Sequence, residues 1–337
     1  MAQKVCIVGA GAIGGWIGAR IALGGGAQVN AVARGNTLAA LRQQGWRLIE
    51  DGTLRQAPLG AASDHPRELG VQDLVIVAVK GPAMAEVSAL IPPLLGPHTV
   101  VLPAMNGIPW WFTQGLPGAA GAGPLDSVDP GGRVASAIPV AQVIGCVVHA
   151  SALVREPGLV EHKMGRGLVI GEPAGAPTPR LQAVAGLLRE AGFEVTLSDH
   201  IRRDVWFKLW GNLTMNPVSM LTGATADRIL DDPLVRGFCS AAMHEAAAIG
   251  ERIGCAIAQS PEERHAVTRK LGAFKTSMLQ DAEAGRAVEL DAIVAAVREL
   301  GARVGVLTPT IDALFGLARL SARMRGLYPD EAAPPAR

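Results

Sequence analysis

Short apolar runs alternate with helix-like segments over the first 110 residues of the chain. The apolar runs are residues 4–8, 28–33, 74–79 and 99–103, and the helix-like segments are residues 11–23 and 37–44. A strand that is apolar on both faces has to be covered on both faces, so runs of this kind separated by helices indicate parallel βαβ winding. The pattern therefore predicts an α/β domain built on a parallel sheet.

The pattern changes twice further along the chain. Residues 111–139 are rich in Gly and Pro, show no period and predict a long surface loop. Strand-like runs then resume at residues 143–152, 158–162, 167–171 and 193–197, with a helix at 180–191. After residue 200 only helical periodicity remains, at residues 202–221, 233–253, 261–280, 287–300 and 309–325.

These segments predict an α/β domain followed by an all-α C-terminal domain. We place the first domain over residues 1–199 and the second over residues 200–328. Residues 329–337 are polar and rich in Pro and Ala, and they predict a flexible tail.

The composition excludes several classes of function. The 31 Lys and Arg residues and the 30 Asp and Glu residues leave a net charge of +1, so no positive field would attract nucleic acid or an acidic membrane. Aromatic residues make up only 4%, too few for a base-stacking platform. No apolar run approaches the roughly 20 residues of a membrane helix, and the apolar start at residues 5–8 is too short for a secretory signal.

The cysteines and histidines are scattered along the chain. The four cysteines form no C-x-x-C pair, and the seven histidines show no ligand spacing. We therefore expect reduced thiols, a cytoplasmic protein and no metal site.

A glycine loop follows the first predicted strand. The run Gly9-Ala10-Gly11-Ala12-Ile13-Gly14 matches G-x-G-x-x-G and opens the first predicted helix. In this context the first glycine makes a tight turn, the second lets the backbone approach a pyrophosphate, and the third lets helix and sheet pack closely. We therefore predict a Rossmann-type dinucleotide site that uses all six residues; the alternative is a glycine-rich turn without a ligand.

Three polar residues follow later strands, whose carboxyl ends should line the ligand crevice. Arg34 comes after the second strand, where no Asp or Glu lies between Gln28 and Thr37. A guanidinium pairs with a 2′-phosphate that a carboxylate would repel, so NADP(H) is favoured over NAD(H). Lys80 and Asn106 follow the next two strands and are candidates for contacting the nicotinamide half. The alternative for each of the three is an ordinary loop residue.

The helix after residue 200 carries a polar stripe among apolar side chains. Lys208, Asn212 and Asn216 are each four residues apart and share one helical face. The stripe either faces water or lines a cleft between the two domains, where a partly desolvated lysine would have a lowered pKa suited to proton transfer near neutrality. Later in the chain come Ser277 and Glu289; Glu289 borders the apolar stripe of its helix and is either a site residue or a flanking surface carboxylate.

Together these motifs resemble the ketopantoate reductase (2-dehydropantoate 2-reductase) family. The resemblance rests on the glycine loop, Met105-Asn106-Gly107, Lys208-x3-Asn212-x3-Asn216-Pro217, and Ser277-Met278-Leu279-Gln280-Asp281 followed by Glu289-Leu290-Asp291. It covers nearly the whole chain, with residues 111–139 as an apparent insertion. It implies a Rossmann domain joined to a helical domain, with NADPH and a 2-oxo acid meeting in the cleft.

The resemblance also implies a role for each matched residue. Lys208 would be the catalytic acid, and Glu289 would be the acidic residue of the site, near both the reacting groups and the cofactor. Besides the glycine loop and Glu289, the cofactor would contact Arg34, Lys80, Asn106 and the backbone of Ala150. The substrate would contact Asn106, Lys208, Asn212, Asn216 and Ser277.

Two departures from the family pattern concern the substrate. Phe274 stands where the family often has a substrate-binding Asn, and residues 222–227 lack a further expected Asn. We therefore predict NADPH-dependent reduction of a small 2-oxo acid, with ketopantoate to pantoate in pantothenate biosynthesis as the favoured reaction. The alternatives are a reductase of a different 2-oxo or β-hydroxy acid on the same fold and a non-catalytic NADP-binding protein. By analogy with similar helical domains, we also predict a homodimer formed through the C-terminal domain.

Overall fold

The computed structural model describes residues 3–330. They divide into two compact units: unit 1 extends to Gly115 and includes Asp129–Val205, and unit 2 consists of Leu116–Val128 and the residues from Trp206 onwards. Of the expected tail, residues 331–337 lie outside the described residues. No helix within residues 3–330 combines the length and the apolarity that crossing a membrane requires.

Unit 1 contains strands and helices in alternation. Its strands are β1 (Gln3–Val8), β2 (Ala27–Val32), β3 (Trp46–Glu50), β4 (Thr53–Ala57), β5 (Ala62–Ser63), β6 (Leu74–Val77), β7 (Val100–Pro103), β8 (Gly145–Glu156), β9 (Leu159–Gly171) and β10 (Glu194–Leu197). Its helices are α1 (Ala12–Gly24), α2 (Gly35–Gln44), α3 (Met84–Ser88), α4 (Arg133–Ala137) and α5 (Pro179–Glu190).

The first sheet of unit 1 confirms the predicted parallel sheet. Its order is β5-β2-β1-β6-β7, and every neighbouring pair is parallel. In the centre, Val5 pairs with Val29 on one side and with Leu74 on the other. Strands β6 and β7 are buried throughout, as continuous apolar runs require. The strand order reverses at β1, and this switch point is where ligands of open α/β sheets bind.

Unit 1 also contains a second sheet that the sequence does not predict. Its order is β10-β9-β3-β4, and β8 forms an antiparallel pair with β9. The expectation of separate strands at residues 158–162 and 167–171 is wrong, because pairing with β8 continues across the exposed middle of β9. Strand β3 alternates buried and half-buried residues and β4 is largely exposed, so neither gives a continuous apolar run.

Helix α1 packs against strands of both sheets. Its Trp16 and Ile17 side chains are completely buried. The Trp16 ring meets Phe193 edge-on, with 4.9 Å between the ring centroids. This packing fixes the direction of α1 and therefore the position of its first turn, which follows the glycine loop.

The segment of residues 111–139, expected to be a surface loop, contains short helical turns and several buried side chains, Leu125 among them. Part of it belongs to unit 2, where the Glu299 carboxylate accepts hydrogen bonds from the backbone N–H groups of Asp126 and Ser127, each at 3.0 Å. Such order depends on side chains distant in the chain, so a local pattern cannot reveal it.

The all-α second domain is confirmed in unit 2. Its helices are α6 (Ile201–Thr222, whose first residues belong to unit 1), α7 (Ala226–Asp231), α8 (Pro233–Arg252), α9 (Pro261–Arg269), α10 (Ser277–Glu283), α11 (Ala296–Val304) and α12 (Pro309–Met324). Several begin at a polar cap followed by proline: Asp232 accepts hydrogen bonds at the start of α8, and Ser260 and Glu263 form a capping box at the start of α9.

Two of the expected helices differ from the structure. The single helix over residues 261–280 is wrong: α9 ends at Arg269, Gly272 has a φ of 61°, and Thr276 caps a new helix, α10. The helix expected at residues 287–300 begins as a π-helical turn, Asp291–Ala295, and continues as α11. Caps and turns of this kind end one helix and begin another, although the helical spacing of apolar residues continues in the sequence.

Candidate functional site

The glycine loop joins β1 to α1 and packs against the chain just beyond β6. Gly9 has a φ of 92°, and a Cβ there would lie 2.6 Å from the Val79 side chain. A Cβ on Gly14 would lie 2.1 Å from the Gly9 carbonyl oxygen and 3.0 Å from the Ala78 Cβ. A side chain at either position would push the turn away from the sheet, so both positions require glycine.

Gly11 has a different environment from the other two glycines. It is the N-cap residue of α1, it is exposed, and a Cβ built on it would have no atom within 4 Å. The first turn of α1 contains no acidic residue. Open space next to the N–H groups and the positive end of a helix dipole fits a pyrophosphate. The residues present therefore fit a dinucleotide cofactor.

Arg34 follows the carboxyl end of β2 and is the N-cap residue of α2. The Gly9 N–H donates to the Val32 carbonyl at 3.1 Å, so the end of β2 adjoins the glycine loop. The Arg34 guanidinium pairs with the Glu86 carboxylate in α3, at 2.5 Å between Nη1 and Oε1, with the two side chains 58% and 63% exposed. The sequence analysis missed Glu86, because no spacing relates it to a residue 52 positions earlier.

Lys80 and Asn106 follow β6 and β7 at the same edge of the parallel sheet. Backbone hydrogen bonds of 2.9 and 2.8 Å continue the pairing of β1 with β6 and of β6 with β7 past the strand ends. Both side chains are half-buried. The structure thus gathers the glycine loop, Arg34, Lys80 and Asn106 at the carboxyl edge of one sheet.

Ala150 lies in the second sheet, within β8. The register of β8 against β9 shifts between His149 and Ser151, on either side of it. A register shift leaves backbone groups outside the regular ladder. Ala150 is therefore at a position where the backbone of the strand is able to contact a ligand.

Helix α6 carries Lys208, Asn212 and Asn216 on one face in unit 2. Lys208 and Asn212 are half-buried and Asn216 is 5% exposed, so the stripe does not face bulk water along its length. The helix is fixed by its large apolar side chains; the Trp210 indole N–H, for example, donates to the Met243 carbonyl in α8 at 2.7 Å. The polar stripe is therefore held in place by a packed helix.

Ser277 and Phe274 lie on either side of the cap of α10. Ser277 is the first residue of α10 and is exposed, and the Thr276 hydroxyl accepts a hydrogen bond from the Leu279 N–H at 3.2 Å. Phe274 is half-buried and packs against a core cluster that includes Met215 of α6. An aromatic ring therefore packs against an apolar cluster of the helical unit at the position where the family often has an amide.

Glu289 comes just before the π-helical turn and is half-buried. Inside this turn the Asp291 carboxylate accepts a hydrogen bond of 2.5 Å from Tyr328, the single tyrosine of the chain. Burial raises the pKa of Asp291, and the Tyr328 hydroxyl opposes that rise. This pair, which the sequence analysis missed, holds the turn that follows Glu289; the single tyrosine near the C-terminus was the available signal.

Arg264 in α9 is a further cation next to α6 that the sequence does not reveal. Its guanidinium lies 5.1 Å from the centroid of the Phe207 ring. A Cβ on Gly211 would lie 2.9 Å from the Arg264 Nε. Burial lowers the pKa of Arg264. The contact depends on how α9 packs against α6, so no local motif could have predicted it.

The candidate residues therefore form two groups, one in each unit. Unit 1 holds the glycine loop, Arg34, Lys80, Asn106 and Ala150, and unit 2 holds Lys208, Asn212, Asn216, Ser277 and Glu289. Within residues 3–330, no three His, Cys, Asp or Glu side chains are grouped so as to hold a metal ion.

Comparisons with known proteins match one family in both parts of the chain. The family model described as ketopantoate reductase PanE/ApbA matches residues 5–111, and the model of its C-terminal part matches residues 200–322. The 2-dehydropantoate 2-reductase of Mesorhizobium japonicum is 43% identical over 326 residues, which cover 97% of this chain and 100% of the relative.

Solved structures are also similar to this chain over nearly its full length. A crystal structure from Ralstonia solanacearum, provisionally described as a ketopantoate reductase, is 56% identical, covers 97% of this chain and 100% of its own, and superposes with a TM-score of 0.93. The crystal structure of 2-dehydropantoate 2-reductase from Methylococcus capsulatus is 25% identical, with coverage of 96% and 98% and a TM-score of 0.82.

Proposed function

Because the chain belongs to the ketopantoate reductase family, we propose that it reduces 2-dehydropantoate (ketopantoate) to pantoate with NADPH, a reaction of pantothenate biosynthesis. The observation that carries the proposal is the 43% identity, over 97% of the chain, to a relative named for this reaction. The candidate residues described above would supply the groups that such a reaction needs.

We assign cofactor binding to unit 1. The open space at Gly11 and the N-terminus of α1 suit the pyrophosphate. Arg34, at the end of β2, suits a 2′-phosphate, which supports NADP(H) over NAD(H). Lys80, Asn106 and the Ala150 backbone would contact the nicotinamide half, together with Glu289 of unit 2. When bound, NADPH supplies a hydride from its nicotinamide ring to the ketone carbon of the substrate.

We assign substrate binding and proton transfer to the polar stripe of α6. As the ketone is reduced, negative charge develops on its oxygen, and the Lys208 ammonium would stabilise this charge and donate the proton. Asn212, Asn216 and Ser277 would orient the small hydroxylated acid by neutral hydrogen bonds, with Asn106 as a further contact. Glu289 would hold the lysine or a substrate hydroxyl.

One observation favours a different 2-oxo acid as the substrate of the same site. Phe274 packs against the core next to α6, where the family pattern has an amide donor. A phenyl ring there offers apolar surface in place of a hydrogen bond, which suits a 2-oxo acid with a larger apolar group. Reduction of such an acid is the second candidate function.

The experiment that tests the proposal measures NADPH and NADH oxidation by the purified protein with ketopantoate, pyruvate and 2-oxoisovalerate. We expect the highest kcat/KM with ketopantoate and NADPH. Preference for another 2-oxo acid would replace ketopantoate with the second candidate. NADPH binding without turnover of any of them would contradict the enzymatic proposal and leave a non-catalytic NADP-binding protein, and equal use of NADH would contradict the role of Arg34.

We also infer that two copies pair through the helical unit. On α12 the apolar residues Leu317, Leu320 and Met324 are 62%, 59% and 79% exposed and share one face. An exposed apolar face of this size on one helix suits packing against the same face of a second copy. Light scattering should show a dimer that Leu320→Glu converts to a monomer; a wild-type monomer would contradict the inference.

The cytoplasm is the proposed compartment. All four cysteines, Cys6, Cys146, Cys239 and Cys255, are buried as thiols rather than joined in disulfides. Burial raises the pKa of the Cys6 thiol to about 12 and that of Cys239 to about 11, so both remain protonated. Such thiols suit a reducing compartment.

A further inference from the structure

Arg264 carries a charge that no residue in the described part of the chain neutralises. Its side chain is half-buried, and within residues 3–330 its Nε has no hydrogen-bond partner and its guanidinium forms no ion pair. The contact that it makes is with the face of the Phe207 ring. A cation that is partly removed from water without a counter-charge is unfavourable unless an anion binds next to it.

Arg264 belongs to α9, and its side chain lies against α6 at Gly211. Gly211 comes three residues after Lys208, so its surface adjoins that of Lys208, the first member of the polar stripe. A Cβ on Gly211 would lie 2.9 Å from both Nε and Nη2 of Arg264, so the absence of a side chain lets the guanidinium lie directly against the helix. The same helix surface therefore presents the Lys208 ammonium and the Arg264 guanidinium.

We propose that Arg264 binds the carboxylate of the 2-oxo acid substrate, an inference that rests on the function proposed above. In a 2-oxo acid the carboxylate is bonded directly to the ketone carbon, so the anion site has to lie next to the group that protonates the ketone oxygen. Side chains three residues apart on a helix are about 5–6 Å apart at Cβ, a spacing that places a guanidinium over Gly211 within reach of that carboxylate. A planar guanidinium also pairs with a carboxylate through two hydrogen bonds.

The proposal also accounts for the departure at residue 274. With Phe274 in place of an amide, the site has fewer neutral donors than the family pattern implies. A charge-assisted pair from Arg264 would replace the lost hydrogen bonds and would keep the pocket selective for acids. The carboxylate would then be held by Arg264, while Lys208 interacts with the ketone oxygen.

The test compares steady-state kinetics of the wild type, Arg264→Gln and Arg264→Lys, each with ketopantoate and with its carboxamide analogue, which lacks the carboxylate charge. For Arg264→Gln we expect the KM for ketopantoate to rise roughly tenfold to a hundredfold, as for loss of a charge-assisted hydrogen bond. The KM for the carboxamide and the Kd for NADPH should stay unchanged, and Arg264→Lys should restore part of the affinity. An equal rise in KM for both substrates, or no rise, would overturn the proposal.

Gly211→Ala provides a matched variant that improves rather than weakens helix propensity. Its methyl group would displace the flexible end of Arg264, so we expect a smaller rise in the KM for ketopantoate and no further rise when it is combined with Arg264→Gln. Full additivity of the two changes would contradict the proposal. If the wild type reduces none of the 2-oxo acids, the proposed function fails; if it reduces ketopantoate and the variants do so equally well, only the role of Arg264 fails.

Discussion

Gly11 and Gly14 belong to the same loop, yet replacing each by alanine should affect different properties: Gly14→Ala should lower stability, and Gly11→Ala should lower cofactor affinity. A methyl group on Gly14 would lie 2.1 Å from the Gly9 carbonyl oxygen, a backbone atom that cannot move without breaking the turn. We expect Gly14→Ala to lower the free energy of unfolding by roughly 2–4 kcal/mol. At Gly11 the φ of −79° accepts a side chain and no atom lies within 4 Å of the added Cβ, so Gly11→Ala should cost no more than about 1 kcal/mol.

The space that makes Gly11→Ala harmless to the fold is the space in which we propose that the cofactor pyrophosphate binds. A methyl group there would occupy the approach of the pyrophosphate to the helix N-terminus, and we expect NADPH affinity to fall about tenfold to a hundredfold, or 1.4–2.7 kcal/mol. Urea unfolding would measure stability, and quenching of intrinsic tryptophan fluorescence would measure the Kd for NADPH. A Gly11→Ala protein that binds NADPH as tightly as the wild type would refute the placement of the cofactor at this loop.

Three further substitutions test single contacts. Glu86→Gln removes the carboxylate that would compete with a 2′-phosphate for Arg34. NADPH binding should therefore tighten, but only about two- to fivefold because both side chains are exposed. Equal tightening for NADH in the same fluorescence titration would contradict this prediction. Burial alone would raise the pKa of Glu299, but the hydrogen bonds that it accepts hold the pKa below its ordinary value of 4.5. Glu299→Gln should therefore lower the free energy of unfolding, measured with urea at neutral pH, by about 1–2 kcal/mol. The difference from the wild type should disappear as the pH falls below the pKa of Glu299. A difference in stability that persists in acid would contradict this role of the Glu299 carboxylate. Tyr328→Phe removes the hydrogen-bond donor to Asp291, a carboxyl whose pKa is raised by burial. The free energy of unfolding should fall by about 1–2 kcal/mol at neutral pH, and by less as the pH falls and the carboxyl becomes protonated. A loss of stability that does not depend on pH would point to packing instead.

The first sheet and the long helices could be predicted from the sequence because their signals are local. The run at β6 is apolar at every position, since both of its faces are buried. Strand β4 could not be predicted, because it is largely exposed and exists through pairing with β3. The division of the expected helix 261–280 into α9 and α10 depends on Thr276, whose capping hydrogen bond is visible only in the structure.

The residues of the candidate site likewise include some that the sequence predicts and some that it does not. The glycine loop and the stripe of Lys208 and Asn212 follow fixed spacings within one element, so sequence reasoning finds them. Glu86, Arg264 and Tyr328 each act on a residue of another element, and no periodicity relates such pairs. Long-range packing brings them together, and only the structure reveals it.

Proton donation by Lys208 can be measured by rapid mixing. Single-turnover NADPH oxidation is compared between the wild type and Lys208→Gln, each saturated with ketopantoate. General acid catalysis by a positioned side chain contributes about a hundredfold to ten-thousandfold, so the variant should lose at least a hundredfold in rate. Its Kd for NADPH should remain that of the wild type. A Lys208→Gln protein that oxidises NADPH at the wild-type rate would contradict the account.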